Sequence, residues 1–142
     1  MPHIAPTEHP FINAFRDVWR EPTLDILMSL LREDVTLIQP LSPTLTGKKH
    51  ARQAFRRILF RFPGMRGEIN GGLGEDTQVM IDWTMIVPIG RHEIRLPVID
   101  KVTLEDERVK LRIAYFDPTP LIGPLLRSPT ALARHAVSSF LR

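Results

Sequence analysis

Two aspartates stand apart from the other acidic residues because of what surrounds them. Around Asp100 the alternate residues Ile94, Leu96, Val98, Val102 and Leu104 are all apolar. Successive strand residues point to opposite faces, so this spacing predicts a strand with Asp100 as the lone carboxylate on its core-facing stripe. Burying an ionised carboxylate is costly unless it is paired or protonated. Asp82 shares an alternation with Met80, Thr84 and Ile86 inside the apolar run 79–87. In one reading both face a pocket and do acid–base chemistry, with Asp100 as acid or hydrogen-bond donor and Asp82 as base or water-binder. Without a permanent cation, desolvation would then hold Asp100 at least partly protonated near neutrality. In the other reading each carboxylate caps or pairs within the fold, Asp100 for instance with Arg112, which alternation sets on one face with Ala114 and Phe116. Both readings stay open for Asp82; for Asp100 the pocket role leads.

The remaining chemically capable residues have structural explanations. His3, His9, His50, His92 and His135 show no paired spacing of the H-E-x-x-H kind, and no metal site is assigned to them. The absence of cysteine excludes disulfides and thiolate ligands, and no cofactor is expected. Lys48, Lys49, Arg52, Arg56, Arg57 and Arg61 fall on one predicted helix. They read as a solvated face, not as a nucleic-acid surface. Gly71, Gly72 and Gly74 lie between strands and read as a turn instead of a phosphate cradle. Phe11, Phe15, Trp19 and Trp83 read as core or pocket wall.

The elements that must position these residues are legible from periodicity. Pro10 suits a first helical turn, and Phe11, Phe15, Val18 and Trp19 recur at helical spacing until Glu21-Pro22 breaks the pattern. A second helix is predicted from about Leu24 to Arg32, then a strand over 35–38 that Pro40 stops. Thr46 is the expected cap of a third helix carrying Ala51, Phe55, Ile58, Leu59 and Phe62 inward, and Phe62-Pro63-Gly64 ends it. From Met65 the period becomes two. Strands are predicted near 66–73, 78–87, 93–104 and 109–116, in an antiparallel meander. Beyond Pro118, Leu132, Ala136, Val137 and Phe140 predict an amphipathic helix over about 130–141 that docks back onto the domain.

At 142 residues, with 43% hydrophobic and 25% charged residues, the chain suits one globular domain of the α+β class. The sequence pI is ≈ 9.8, but the formal net charge is only +3, which argues little for nucleic acid. No apolar run approaches the roughly 20 residues needed to span a bilayer, so no stable membrane insertion is expected. The first ten residues lack the pattern of a signal peptide, and the cytoplasm is the expected compartment.

The order of elements, the phrase Asp34-Val35-Thr36-Leu37 with a proline and a glycine beyond it, and the ending from Val102 through Arg108-Val109 to Tyr115-Phe116-Asp117 resemble the SnoaL-like branch of the nuclear transport factor 2-like superfamily. The resemblance covers about 10–118. It implies a strongly bent antiparallel sheet wrapped around three N-terminal helices as a cystatin-like cone, here with an extra C-terminal helix. It also implies a domain over 1–118 and an extension over 119–142. Ketosteroid isomerases of this fold use a carboxylate base, a tyrosine and an oxyanion-donor aspartate; the matching positions here are Gln39, Phe15 and Asp100. Limonene-type epoxide hydrolases use two aspartates and an arginine; the matching positions are Asp82, Ala114 and Met80. Neither set is complete.

The expected function is therefore acid–base catalysis of an isomerase, cyclase, dehydratase or hydrolase type on a small hydrophobic substrate, with Asp100 and Asp82 as catalytic candidates. The alternative is a noncatalytic module that binds such a molecule or dimerises. Phe15, Trp19, Gln39, Met80, Leu96, Val98, Arg112, Ala114 and Phe116 are the expected ligand contacts in a ligand-sized apolar pocket. Alternation sets Ile81, Trp83 and Met85, then Leu111, Ile113 and Tyr115, on the face opposite that pocket. That face is the expected homodimer surface.

Overall fold

Trp83 at the middle of a long strand and the helix that covers it set the geometry of the whole chain. The computed structural model describes residues 8–127. Helix α1 (Pro10–Arg20) begins at His9, whose Nδ1 accepts from the Phe11 N–H at 3.1 Å. With Nδ1 accepting, Nε2 carries the proton and donates to the Asp76 carbonyl at 2.9 Å, which ties this helix end to a hairpin turn. The face α1 buries is Phe11, Ile12, Phe15, Val18 and Trp19. Phe15 and Trp19 meet Trp83 with ring centroids 5.4 and 4.8 Å away, within the range of favourable aromatic pairing.

Helix α2 (Leu24–Ser29) is capped by Thr23 and is shorter than expected. Strand β1 (Leu31–Ile38) claims the following residues, and the Leu30 carbonyl already accepts from the Val109 N–H at 2.9 Å. The two-residue strand β2 (Leu45–Thr46) pairs antiparallel with β1. Helix α3 (Lys48–Arg61) starts at Gly47, not at Thr46, and no side chain caps it. Gly47 takes φ 91, a left-handed turn that favours glycine, and its N–H donates to the Val35 carbonyl at 2.7 Å.

Strands β3 (Arg66–Glu75), β4 (Gln78–Ile89), β5 (His92–Glu105) and β6 (Arg108–Tyr115) form the expected meander. The six-stranded sheet has the order β2-β1-β6-β5-β4-β3. It curls around the helices, and the fold is α+β as the sequence predicts. One join departs from the expected antiparallel pattern: β1 runs parallel to β6, with Leu37 opposite Arg112 and Ile38 opposite Ile113. Parallel neighbours need a long crossover, and here that crossover is α3 with most of the meander. Arg32 braces this join by donating to Asp34 at 2.8 Å and Asp106 at 2.6 Å, while Lys110 also reaches Asp34.

After β6, helix α4 (Thr119–Arg127) forms ahead of the stretch in which the sequence predicts a helix. Pro120 sits in its first turn, where a missing N–H costs nothing, and the Thr119 N–H donates to Asp117 Oδ1 at 3.0 Å. The helix expected over about 130–141 lies outside the described residues. No helix among the described residues is long and apolar enough to cross a membrane.

Candidate functional site at the Asp100–Arg112 pair

Paired residues of adjacent antiparallel strands share a face, so registers show which side chains meet beneath the helices. Ile81, Asp100 and Ala114 form one row across β4, β5 and β6, and Val79, Val102 and Arg112 form the next, which continues to Leu37 on β1. This inner face is apolar except at two places. Asp100, with 0% exposure, and Arg112, with 7%, are the only buried polar or charged residues among those described. Arg112 donates through Nε to Asp100 Oδ2 at 2.6 Å and through Nη2 to Oδ1 at 3.4 Å. Asp100 therefore has a permanent cation: the fork-shaped pair with Arg112 is the sequence's second reading, and the unpaired buried acid of the first is not what forms.

Arg112 lines a cavity between sheet and helices together with Phe11, Phe15, Trp19, Leu27 and Phe55. Its volume is ≈ 20 Å³, space for one water, where the sequence suggested a ligand-sized pocket. Nothing among the described residues accepts a hydrogen bond from Arg112 Nη1. Trp83 Nε1, also interior, is buried with no partner. The interior thus holds two donors without acceptors and no carboxylate oxygen free of the pair.

Of the expected site residues, the structure brings Phe15, Trp19 and Arg112 to the cavity wall. Asp100 lies behind Arg112. Leu96, Val98 and Ala114 are buried on the inner face, Phe116 packs on the core, and Gln39 is half-buried in the loop after β1.

Asp82 and Met80 differ from expectation. Asp82 is opposite Ile99 and exposed on the outer face, where Asn70 Nδ2 bridges its Oδ1 and Thr84 Oγ1, each at 3.3 Å. Met80, 49% exposed, is on the same side. Conversely, Ile81 and Trp83 are fully buried on the inner face instead of forming an outer one. The alternation through 79, 81, 83, 85 and 87 is wholly apolar while the other carries Asp82 and Thr84, so hydrophobic burial turns the first inward, and Phe15 and Trp19 stacked on Trp83 hold it there. Asp82 and Asp100 thus stand on opposite sides of the sheet. The contributions of Leu27, Leu30 and Phe55 to the cavity wall were not foreseen, because in sequence Leu27 and Phe55 are ordinary inward positions of α2 and α3 and Leu30 is the residue that closes α2. No group of three or more His, Cys, Asp or Glu gathers as a metal site among the described residues.

The SnoaL-like domain family matches residues 12–112. No curated protein matches the chain in sequence at a significant level. Similar solved structures include a protein with a ketosteroid isomerase-like fold from Catenulispora acidiphila in complex with trimethylamine, at TM-score 0.71 and 16% identity, covering 87% of this chain and 97% of that one. TerC co-crystallised with polyporic acid matches at TM-score 0.71 and 18% identity, covering 83% and 99%. An LEH-like epoxide hydrolase of M. tuberculosis matches at TM-score 0.66 and 22% identity, covering 86% and 91%. At these identities the likeness is one of fold.

Proposed function

Since the chain belongs to the SnoaL-like domain family, we propose that its interior binds a small hydrophobic molecule, with Arg112 as the polar contact and Asp100 as the residue that positions it. The observation that carries this reading is the buried pair at the cavity wall: a guanidinium fixed at 2.6 Å on one side with a donor nitrogen still unmatched. Such an arrangement orients or polarises an oxygen on a bound molecule. Relatives of this fold are described with small molecules bound, which supports the interior as the place. Native mass spectrometry of the purified full chain, followed by thermal-shift screening of small lipophilic compounds, tests it. Compounds that raise the melting temperature of wild type but not of Phe15→Glu support the interior site.

Acid–base turnover of the isomerase, cyclase, dehydratase or hydrolase kind is the second reading, favoured by the likeness to an epoxide hydrolase. It draws less support, because Asp100 is engaged by Arg112 and Asp82 faces the other way. Binding without turnover is the function the geometry favours.

We also propose that the outer sheet face pairs with a second copy. Ile38, Ile99 and Tyr115, with Met80, expose apolar surface there, and Leu111 and Ile113 are half-buried beside them. The expected dimer face thus keeps its β6 residues and loses its β4 ones. The cysteine-free composition fits a cytoplasmic home.

A further inference from the structure

We infer that the interior selects an uncharged ligand bearing a hydrogen-bond acceptor, such as a ketone, ester or quinone oxygen, and rejects carboxylates. This inference rests on the ligand-binding reading above and concerns the charge of what that same site takes.

A guanidinium presents two forked edges, one formed by Nε and Nη2 and one by Nη1 and Nη2. Asp100 occupies the first through both of its oxygens. The second retains Nη1, which has no acceptor among the described residues, and Arg112 reaches the cavity wall. An exposed arginine would attract anions, but here the positive charge is already matched. Asp100 and Arg112 together carry no net charge, and no other charged side chain is buried among the described residues. A bound carboxylate would therefore leave one uncompensated negative charge in an apolar, aromatic-walled space, beside a carboxylate already present. The cost of such a charge exceeds what one further hydrogen bond returns. A neutral carbonyl takes the same Nη1 donor with no charge left over. Because the cavity itself is ≈ 20 Å³, a larger ligand is admitted by displacement of the surrounding Phe and Leu side chains, which favours flat molecules that slide against aromatic rings.

The test compares three molecules of one shape: methyl 2-naphthoate, which is neutral with an acceptor; 2-naphthoate, which is ionised at neutral pH; and 2-ethylnaphthalene, which has no acceptor. Binding to the full-length chain is followed by calorimetry and tryptophan fluorescence. The expected result for wild type is that the ester binds at least about tenfold tighter than either of the others. Asp100→Asn, where it folds, is expected to shift preference toward naphthoate. Because that substitution strands Arg112, the double variant Asp100→Leu/Arg112→Met is the safer partner, and it is expected to bind ester and hydrocarbon equally. Naphthoate affinity equal to or above that of the ester in wild type overturns the charge inference while leaving the binding site standing. Failure of wild type to bind all three overturns the binding reading itself, and the inference with it.

Discussion

Arg112 Nε lies 2.6 Å from Asp100 Oδ2 across the β5–β6 ladder, with the two side chains 8% and 0% exposed. A pair buried to this degree contributes little net stability over apolar replacements, yet removing one partner is severe because the other is left as an isolated charge. Asp100→Asn is expected to destabilise the protein by about 3–5 kcal/mol at neutral pH. The double variant Asp100→Leu/Arg112→Met is expected to recover most of that loss. Urea melts of the three proteins decide it; a single variant as stable as wild type would show that the pair is not what the inner face depends on.

Gly67 sits where Trp83 comes closest to β3. A Cβ there would stand 2.8 Å from Trp83 Cε3 and Cζ3 and 3.1 Å from Trp19 Cβ. Neither neighbour is the free end of a flexible chain, so the aromatic stack must shift. Gly67→Ala is expected to cost about 1–3 kcal/mol and to weaken near-UV circular dichroism. An unchanged melting curve would contradict the packing described.

The β5–β6 hairpin turns through Asp106 and Glu107, with φ 53 and 64. Both central residues are left-handed, as a two-residue type I′ turn requires, and glycine is the residue that suits the second position. Glu107→Gly is expected to stabilise by about 0.5–1 kcal/mol by relieving this strain. Chemical denaturation with an unchanged m value checks it.

Asp34 accepts from Arg32 first and Lys110 second, and these contacts hold its carboxyl well below the usual carboxylate range. A group whose folded pKa is depressed contributes stability that is present above its unfolded value and lost as pH falls through the folded one. Wild type is therefore expected to lose its advantage over Asp34→Asn as pH drops below about 4. The pair is half exposed, so high salt should shrink the difference at neutral pH as well. Paired melts from pH 7 downward, at low and high salt, measure this; a gap that stays constant with pH would rule the contribution out.

Ile99 and Tyr115 stand opposite one another in the β5–β6 register and are 37% and 54% exposed on the outer face. Placing Glu at either position puts charge into the proposed dimer surface without touching the inner core. Sedimentation velocity is expected to show a dimer for wild type at micromolar concentration and a monomer for Ile99→Glu. A monomeric wild type would remove the second copy as the partner of this face.

Much of this architecture is written locally in the chain. Helical spacing of Phe11, Phe15 and Trp19 marks α1, the change to period two after Met65 marks the meander, and the lone Asp100 on an apolar alternation marks the inner face of β5. These are short-range patterns, set by the geometry of helix and strand themselves. Tertiary structure decided three other things. The inward side of β4 is set by the stacking of Phe15 and Trp19 on Trp83, which holds the alternation of Val79, Ile81 and Trp83 inside and leaves Asp82 outside. Whether Asp100 is free or paired depended on β6 delivering Arg112 in the adjacent row of the register, a relation between residues that alternation can allow but cannot measure. The size of the interior space depended on how side chains from α1, α2 and α3 converge on one point, and convergence in space leaves no periodic trace along the chain.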